Sequence, residues 1–249
     1  MNLVLLAKPN RLTAYLANRL GETGCLKGVV WEEGRSSWQS FLNVAKREGA
    51  ARAVDVIAYQ LWAKVGRRGQ FARELDRFVP APAYQQVACK SIDVGSVNDS
   101  GAREFIERLA PDMILVHATG LINRDIYEIP AWCSVNLHCG YLPLFRGHDS
   151  TFWAMAAEAP VGVTLHRVVR RADAGEIFSR AEISLEPGDS DITAWLKAFR
   201  SGVDQACKLV LRARDRGFPE LTGQQDSTHK AYSYRGLSDY LALDRKRSQ

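Results

Sequence analysis

A chain of 249 residues, 46% hydrophobic and 24% charged, with 19 glycines and 9 prolines, is long and apolar enough to bury a sizeable core, which argues against a disordered polymer. Its five cysteines (Cys25, Cys89, Cys133, Cys139, Cys207) are scattered and form no C-x-x-C pair, which argues against a disulfide framework or a cysteine-rich zinc site and points to a reducing, cytoplasmic setting. The net charge of +5 favours anionic partners, but the basic clusters at 64–68, 167–171, 212–216 and the C-terminus lack interleaved aromatics, so small anionic metabolites are favoured over nucleic acid.

The first apolar run, NLVLLA (2–7), is too short for a signal-peptide core, and no later window approaches a membrane span. It reads as a strand, followed by the helical pattern RLTAYLANRL and a second strand, LKGVVW (26–31), which is the rhythm of a parallel α/β unit. Residues 37–62 read as helix interrupted near Gly49, with Trp38, Phe41, Val44, Val54, Ile57 and Ala58 on one side; a basic segment and the proline-bearing connection 78–88 follow. IDVGSVND (92–99) is a short strand leading into the helix GAREFIERLA, and PDMILVHATG (111–120) is the clearest strand. CSVNLH (133–138) is the next strand, and DSTFWAMAAE (149–158) is a helix with Asp149 or Ser150 at its N-cap. VGVTLHRVV (161–169) and GEIFSRAEISL (175–185) read as strands joined by RRADAG, residues 190–214 as a long amphipathic helix, and the remainder as a loosely packed polar tail. The expected class is α/β, with a Rossmann-like, mostly parallel central sheet flanked by helices.

Ligands of such sheets collect at the C-terminal strand ends, and three ends carry polar chemistry: HATG (117–120), NLH (136–138) and RRADAG. Residues two apart in a strand share a face, so Asn136 and His138 point the same way. A carboxamide beside an imidazole suits stabilisation of a tetrahedral species at a carbonyl, or else a hydrogen-bonded pair closing a strand. Asp173, before a glycine-containing turn, is either a plain turn aspartate or a carboxylate brought against His138. His148-Asp149 has no partner at a standard metal-ligand spacing, and His166 reads as structural or cleft-lining. No G-x-G-x-x-G follows the first strand, which disfavours a plain dinucleotide binder.

The stretch SVNLHCGYLPLFRGHDSTFWAM (134–155), followed by GVTLHRVVRRADAGEIFSR (162–180), resembles the folate-dependent formyltransferase family, whose members formylate glycinamide ribonucleotide, initiator methionyl-tRNA and nucleotide-linked amino sugars. The matched elements are Asn136 and His138, Leu142-Pro143, Arg146-Gly147 and Asp173-Ala174-Gly175. The resemblance implies that Asn136 donates to the formyl oxygen, that His138 assists proton removal from the attacking amine, and that Asp173 orients His138. It implies 10-formyltetrahydrofolate as donor, with the pterin held by Val116, His117, Ala118, Thr119, Gly120, Leu121 and Ile122 and by Ala172 and Gly175 of the Asp173 loop. It does not imply a metal.

Arg146 can touch an anionic acceptor or brace its loop, Tyr141 and Phe145 can face the folate cleft or cover the core edge, and Lys8, Asn10 and Arg11 can contact acceptor phosphate or carry solvated charge. Residues 1–189 are expected to form the catalytic domain, with 37–90 a helical basic elaboration, and residues 190–249 a C-terminal helix and tail. AKPNR (7–11) stands where the glycinamide ribonucleotide enzymes carry a phosphate-binding glycine turn, and from 190 onward no β-rich extension of the tRNA enzymes is evident. A small anionic or nucleotide-linked amine is therefore the expected acceptor, with the oligomeric state open and a homodimer compatible. A 10-formyltetrahydrofolate hydrolase and a non-catalytic folate- or protein-binding relative are the alternatives.

Overall fold

The computed structural model describes residues 1–33, 37–79, 89–219, 223 and 231–247. Its centre is a sheet of β1 (Leu3–Ala7), β2 (Leu26–Glu32), β3 (Lys90–Val94), β4 (Met113–His117), β5 (Cys133–His138), β6 (Gly162–Arg167) and β7 (Ile177–Glu182), in the order β3-β2-β1-β4-β5-β6-β7. The first five run parallel, and β6 and β7 are added antiparallel beside β5. β1 and β4 are buried along their whole length, the pattern of central strands covered on both faces, which is why they read as continuous apolar runs.

Alternation along the strands divides the core into two layers. Leu3, Leu5, Met113, Leu115, Val135, Leu137, Val163 and Leu165 pack with α1 (Arg11–Gly21) and α8 (Asp191–Arg216). Val4, Leu6, Ile114 and Val116 face the opposite layer with Ala102 and Ile106 of α5 (Ser100–Leu109) and Ile126 of α6 (Arg124–Tyr127). Asn136 and His138 alternate with Val135 and Leu137, so they lie on this second face.

The 37–62 region forms two helices, α2 (Ser37–Glu48) and α3 (Ala50–Gly66), broken at Gly49 (φ 94°), and the basic segment after them continues as α4 (Arg68–Phe78). The break resets the helical phase. Val44, Ala53, Val56 and Tyr59 are buried while Val54 is 61% exposed, so Val54 is not on the buried side with Val44; Trp38 and Phe41 lie outside the residues whose side chains are described. The prolines of the 78–88 connection also fall outside the described residues.

Residues 231–247, expected as a loosely packed polar tail, are packed against the body. α9 (Leu237–Arg247) lies on α3, with Leu243 buried and Arg52 pairing with Asp239 at 2.6 Å. The polarity of this segment is used in ion pairs with the body, so mean polarity misrepresented its packing. Among the described residues no helix is long and apolar enough to cross a membrane.

Candidate active site

β5 ends the parallel part of the sheet and carries Asn136 and His138 at its C-terminal end. The antiparallel register sets His166 opposite Asn136 and Thr164 opposite His138, so four polar side chains share one patch of the sheet. The Asn136 amide nitrogen lies 3.1 Å from Nε2 of His166 and 3.3 Å from Oδ1 of Asp173. Asp173 reaches them from the loop after β6 in a left-handed backbone conformation (φ 51°), a geometry that aspartate tolerates better than most residues.

Asp173 is the electrostatic centre of the group. Its Oδ2 accepts the Gly147 amide at 2.9 Å, and its Oδ1 faces Nε2 of His166 at 3.3 Å and Nδ1 of His138 at 3.7 Å. Burial pushes this carboxyl up, but the positive charge of His138 and the hydrogen bond from His166 when these rings carry their second proton, with the Gly147 amide, outweigh it and hold it well below the usual carboxylate range. Gly175 is required by close approach, because a Cβ there would lie 1.9 Å from the Arg167 carbonyl oxygen at the end of β6.

The ring of His138 is oriented chiefly by the loop after β5. Its Nε2 lies 2.9 Å from the Phe145 carbonyl oxygen, which can only accept, and 3.1 Å from Ser150 Oγ, which itself donates to Gly147 O. Nε2 therefore carries a hydrogen, and Nδ1 is the atom that holds a lone pair in the neutral ring, facing Asp173 beyond hydrogen-bond distance. The same logic applies to His166, whose Nδ1 donates to the Arg167 carbonyl at 2.9 Å, leaving Nε2 to accept from Asn136. In that state both hydrogens of the Asn136 amide are engaged, by His166 and Asp173.

The sequence leaves His166 open between a structural and a cleft-lining place and assigns it no role beside Asn136. The alternation of Val163 and Leu165 into the core puts Thr164 and His166 on the Asn136 face, but the register that aligns them depends on the intervening loop and helix. His117 lies on the other face: it donates from Nδ1 to the Leu137 carbonyl at 3.0 Å, sits against Phe199, and burial pushes its pKa down to about 4, so its ring stays neutral.

The other residues singled out in the sequence are distributed around this centre. Arg146 is buried and donates to the Ala172 carbonyl, which braces the Asp173 loop through backbone. Phe145 is buried against Val161 and Ala194 at the core edge, and Tyr141 lies beneath the Arg180 guanidinium at 4.3 Å. Asn10 caps α1, accepting from the Leu12 and Thr13 amides, and Lys8 contributes its carbonyl to the same turn; Arg11 pairs with Asp76. Asp149 is the N-cap of α7 (Ser150–Ala156), but its carboxylate makes no cap bond and instead accepts from the Arg235 amide at 2.9 Å.

After β4 the chain turns at Ala118 (φ 59°) and is pinned on the far side by two side chains. Buried Glu32 accepts the amides of Gly120 at 2.7 Å and Val97 at 3.2 Å, and Asn98 holds the Leu121 carbonyl and the Asn123 amide. These contacts commit the Gly120 amide and the Leu121 carbonyl to the protein itself. Ile122 packs into the second layer, while Leu121 is 71% exposed.

A family model described as formyl transferase matches residues 73–200, just over half of the chain. The chain is 27% identical over 150 residues to the bifunctional polymyxin resistance protein ArnA of Wigglesworthia glossinidia brevipalpis, a match covering 58% of this chain and 23% of that protein, so it spans under a quarter of that relative's length. Its fold is similar to a 4-N formyltransferase from Francisella tularensis (TM-score 0.59, 15% identity, 96% of this chain and 78% of that one). It is also similar to the formyltransferase PseJ from Anoxybacillus kamchatkensis (TM-score 0.52, 16% identity, 97% and 90%) and to glycinamide ribonucleotide transformylase 1 from Symbiobacterium toebii (TM-score 0.58, 15% identity, 90% and 92%). With Asn136, His138 and Asp173 converging at the end of β5 inside the matched region, the chain belongs to the formyl transferase family.

Proposed function

We propose that the chain transfers a formyl group from 10-formyltetrahydrofolate to the primary amine of a small acceptor, and that the acceptor is an amino sugar carried on a nucleotide. The observation that carries the reaction is the convergence of Asn136, His138 and Asp173, with Nδ1 of His138 free to accept a proton and already facing a carboxylate. The donor supplies the formyl carbon. Val116, His117, Ala118 and Thr119 would hold its pterin by backbone, together with the Asp173 loop, and the pinning of residues 120–123 by Glu32 and Asn98 keeps that strand end rigid before any ligand arrives.

The acceptor nitrogen attacks the formyl carbon as a free base, and Nδ1 of His138 takes the proton it loses. The new Nδ1–H then faces Asp173, whose negative charge stabilises the imidazolium. That proton would then pass to the folate nitrogen as its bond to the formyl carbon breaks, releasing tetrahydrofolate and restoring the neutral ring. Asn136 must turn one N–H toward the formyl oxygen. A proton on Nε2 of His166 makes this possible, because Nε2–H then donates to Asp173 and releases the amide from His166.

Two observations support the acceptor class. The N-terminus of α1, where free backbone amides would suit a phosphate, is closed by the Asn10 cap, which speaks against the phosphate site of a glycinamide ribonucleotide enzyme. Among the similar folds, PseJ was solved in complex with UDP-4,6-dideoxy-4-formamido-L-AltNAc and tetrahydrofolate, a nucleotide-linked formamido sugar beside a folate. The test is incubation with 10-formyltetrahydrofolate and a pool of amines containing nucleotide-linked amino sugars, with acceptor masses and folate products followed together. Formylated amino sugar supports the reading. Formate and tetrahydrofolate above the enzyme-free control, with no adduct, would replace transfer by hydrolysis.

A further inference from the structure

We propose that the C-terminal segment Ala231–Arg235 is a strap that positions the catalytic histidine, with Arg235 as the positioning residue that locks it. The kinetic part of this inference rests on the formyl-transfer reading; the geometric part does not. The strap lies along the loop that follows β5. The Tyr232 amide donates to Arg146 O at 2.8 Å, and the His148 amide donates to Tyr232 O at 3.0 Å, a parallel bridge centred on Gly147. Trp153 Nε1 donates to Ser233 O at 2.9 Å, the Tyr232 ring lies between Phe145 and Trp153, and Tyr234 stacks on His148 at 3.8 Å.

On its inner side the same loop serves the site. Phe145 offers its carbonyl and Ser150 its hydroxyl to His138, and Gly147 gives its amide to Asp173. Gly147 is held at φ 91°, and a Cβ there would meet Tyr232 O at 2.3 Å. The loop is thus clamped between strap and site: His138 donates to the loop's Phe145 carbonyl and Asp173 accepts its Gly147 amide, each within one residue of the strap's bonds to Arg146 O and the His148 amide.

Arg235 fixes the end of the strap. Its amide and guanidinium engage Asp149, its guanidinium also meets buried Asp191, and it lies over the rings of Tyr59 and Phe152 at 4.8 Å each. Asp191 is held from the other side by Arg67, at 3.0 and 2.6 Å in a two-pronged pair. Removal of the Arg235 side chain therefore leaves Asp191 paired with Arg67 while position 235 holds the strap only by its backbone bond to Asp149, which separates positioning from the cost of an orphaned buried charge.

The experiment compares wild type, Arg235→Ala, Arg235→Lys and Trp153→Phe in the full-length chain. It reads kcat and KM for formyl transfer, the imidazole ¹⁵N and ¹H signals of His138, and thermal stability. Arg235→Ala is expected to shift the His138 signals and to lower kcat by about 10–100-fold at a donor KM changed by less than about threefold, the scale of a small misplacement of a reacting group. Arg235→Lys should restore most of both. Trp153→Phe, which loses the bond to Ser233 O and part of the ring stacked on Tyr232, should move the same readouts less and keeps the test open if Arg235→Ala fails to fold. A lower melting temperature with unchanged His138 signals and kcat would overturn the proposal. Shifted His138 signals without formyl transfer in wild type would keep the strap and sink the reaction assignment.

Discussion

Asp173→Asn is the sharpest test of the electrostatics, because it removes a charge and preserves the shape. Oδ1 lies 3.7 Å from Nδ1 of His138, and two unit charges at that separation in a medium of effective dielectric about 20 attract by about 4.5 kcal/mol. Some of this is recovered when solvent and neighbours relax, so a loss of about 2–4 kcal/mol is expected in the state where His138 is protonated, or about 30–1000-fold in kcat. Asparagine can still accept the Gly147 amide, but its new NH₂ meets the NH₂ of Asn136, donor against donor. Single-turnover transfer to a saturating amine measures the chemical step. The stability readout has a definite sign. The folded carboxyl is held below its ordinary range, so between that ordinary value of about 3.9 and the lower folded value the unfolded chain binds more protons, and stability is lost as pH falls. The advantage of wild type over the variant in urea titrations should thus be present at neutral pH and shrink on acidification below about pH 4. A kcat within about threefold of wild type, or an advantage that grows toward acid, would refute the assignment of charge stabilisation to Asp173.

His138→Ala should cost about 10²–10⁴-fold in kcat while folate affinity, measured by calorimetry, stays within about threefold; equal losses in both would make His138 a binding residue. Asn136→Ala should lower kcat by about 10²–10³-fold, and a variant losing only amine affinity would move Asn136 out of the oxyanion role. Asn10→Ala removes the α1 cap and should lower unfolding free energy by about 1 kcal/mol with the amine KM unchanged, whereas a raised KM would return Asn10 to the acceptor site.

The parts of the fold legible in the sequence are those that local pattern determines. β1 and the Met113–Val116 part of β4 are apolar because both faces are covered, and the N-L-H alternation at the end of β5 states which way Asn136 and His138 point. The convergence of Asp173 with these residues was carried by resemblance alone. It depends on a left-handed turn and on a backbone amide supplied by Gly147, and neither leaves a local signature. Val54 is exposed because the helix that restarts after Gly49 buries Ala53, Val56 and Tyr59, a stripe one residue away from the expected Val54, Ile57 and Ala58.

The sequence leaves His166 open between a structural and a cleft-lining place and hides the strap for a shared reason: each is defined by a partner distant in sequence. His166 joins the site through the register of β6 on β5, set by the loop and helix between them, so its alternation alone could state a face but not a neighbour. The strap was hidden by polarity. AYSYRGLSDY (231–240) has the composition of a solvated tail, yet its arginine meets buried Asp191 and its tyrosines pack on Phe145, His148 and Trp62. Three tyrosines in ten residues were the available signal, since aromatic rings carry a large apolar area that a merely solvated tail has no reason to keep. Two of those rings, Tyr232 and Tyr234, cover the loop that orients His138, and the third, Tyr240, packs on Tyr59 and Trp62 of α3.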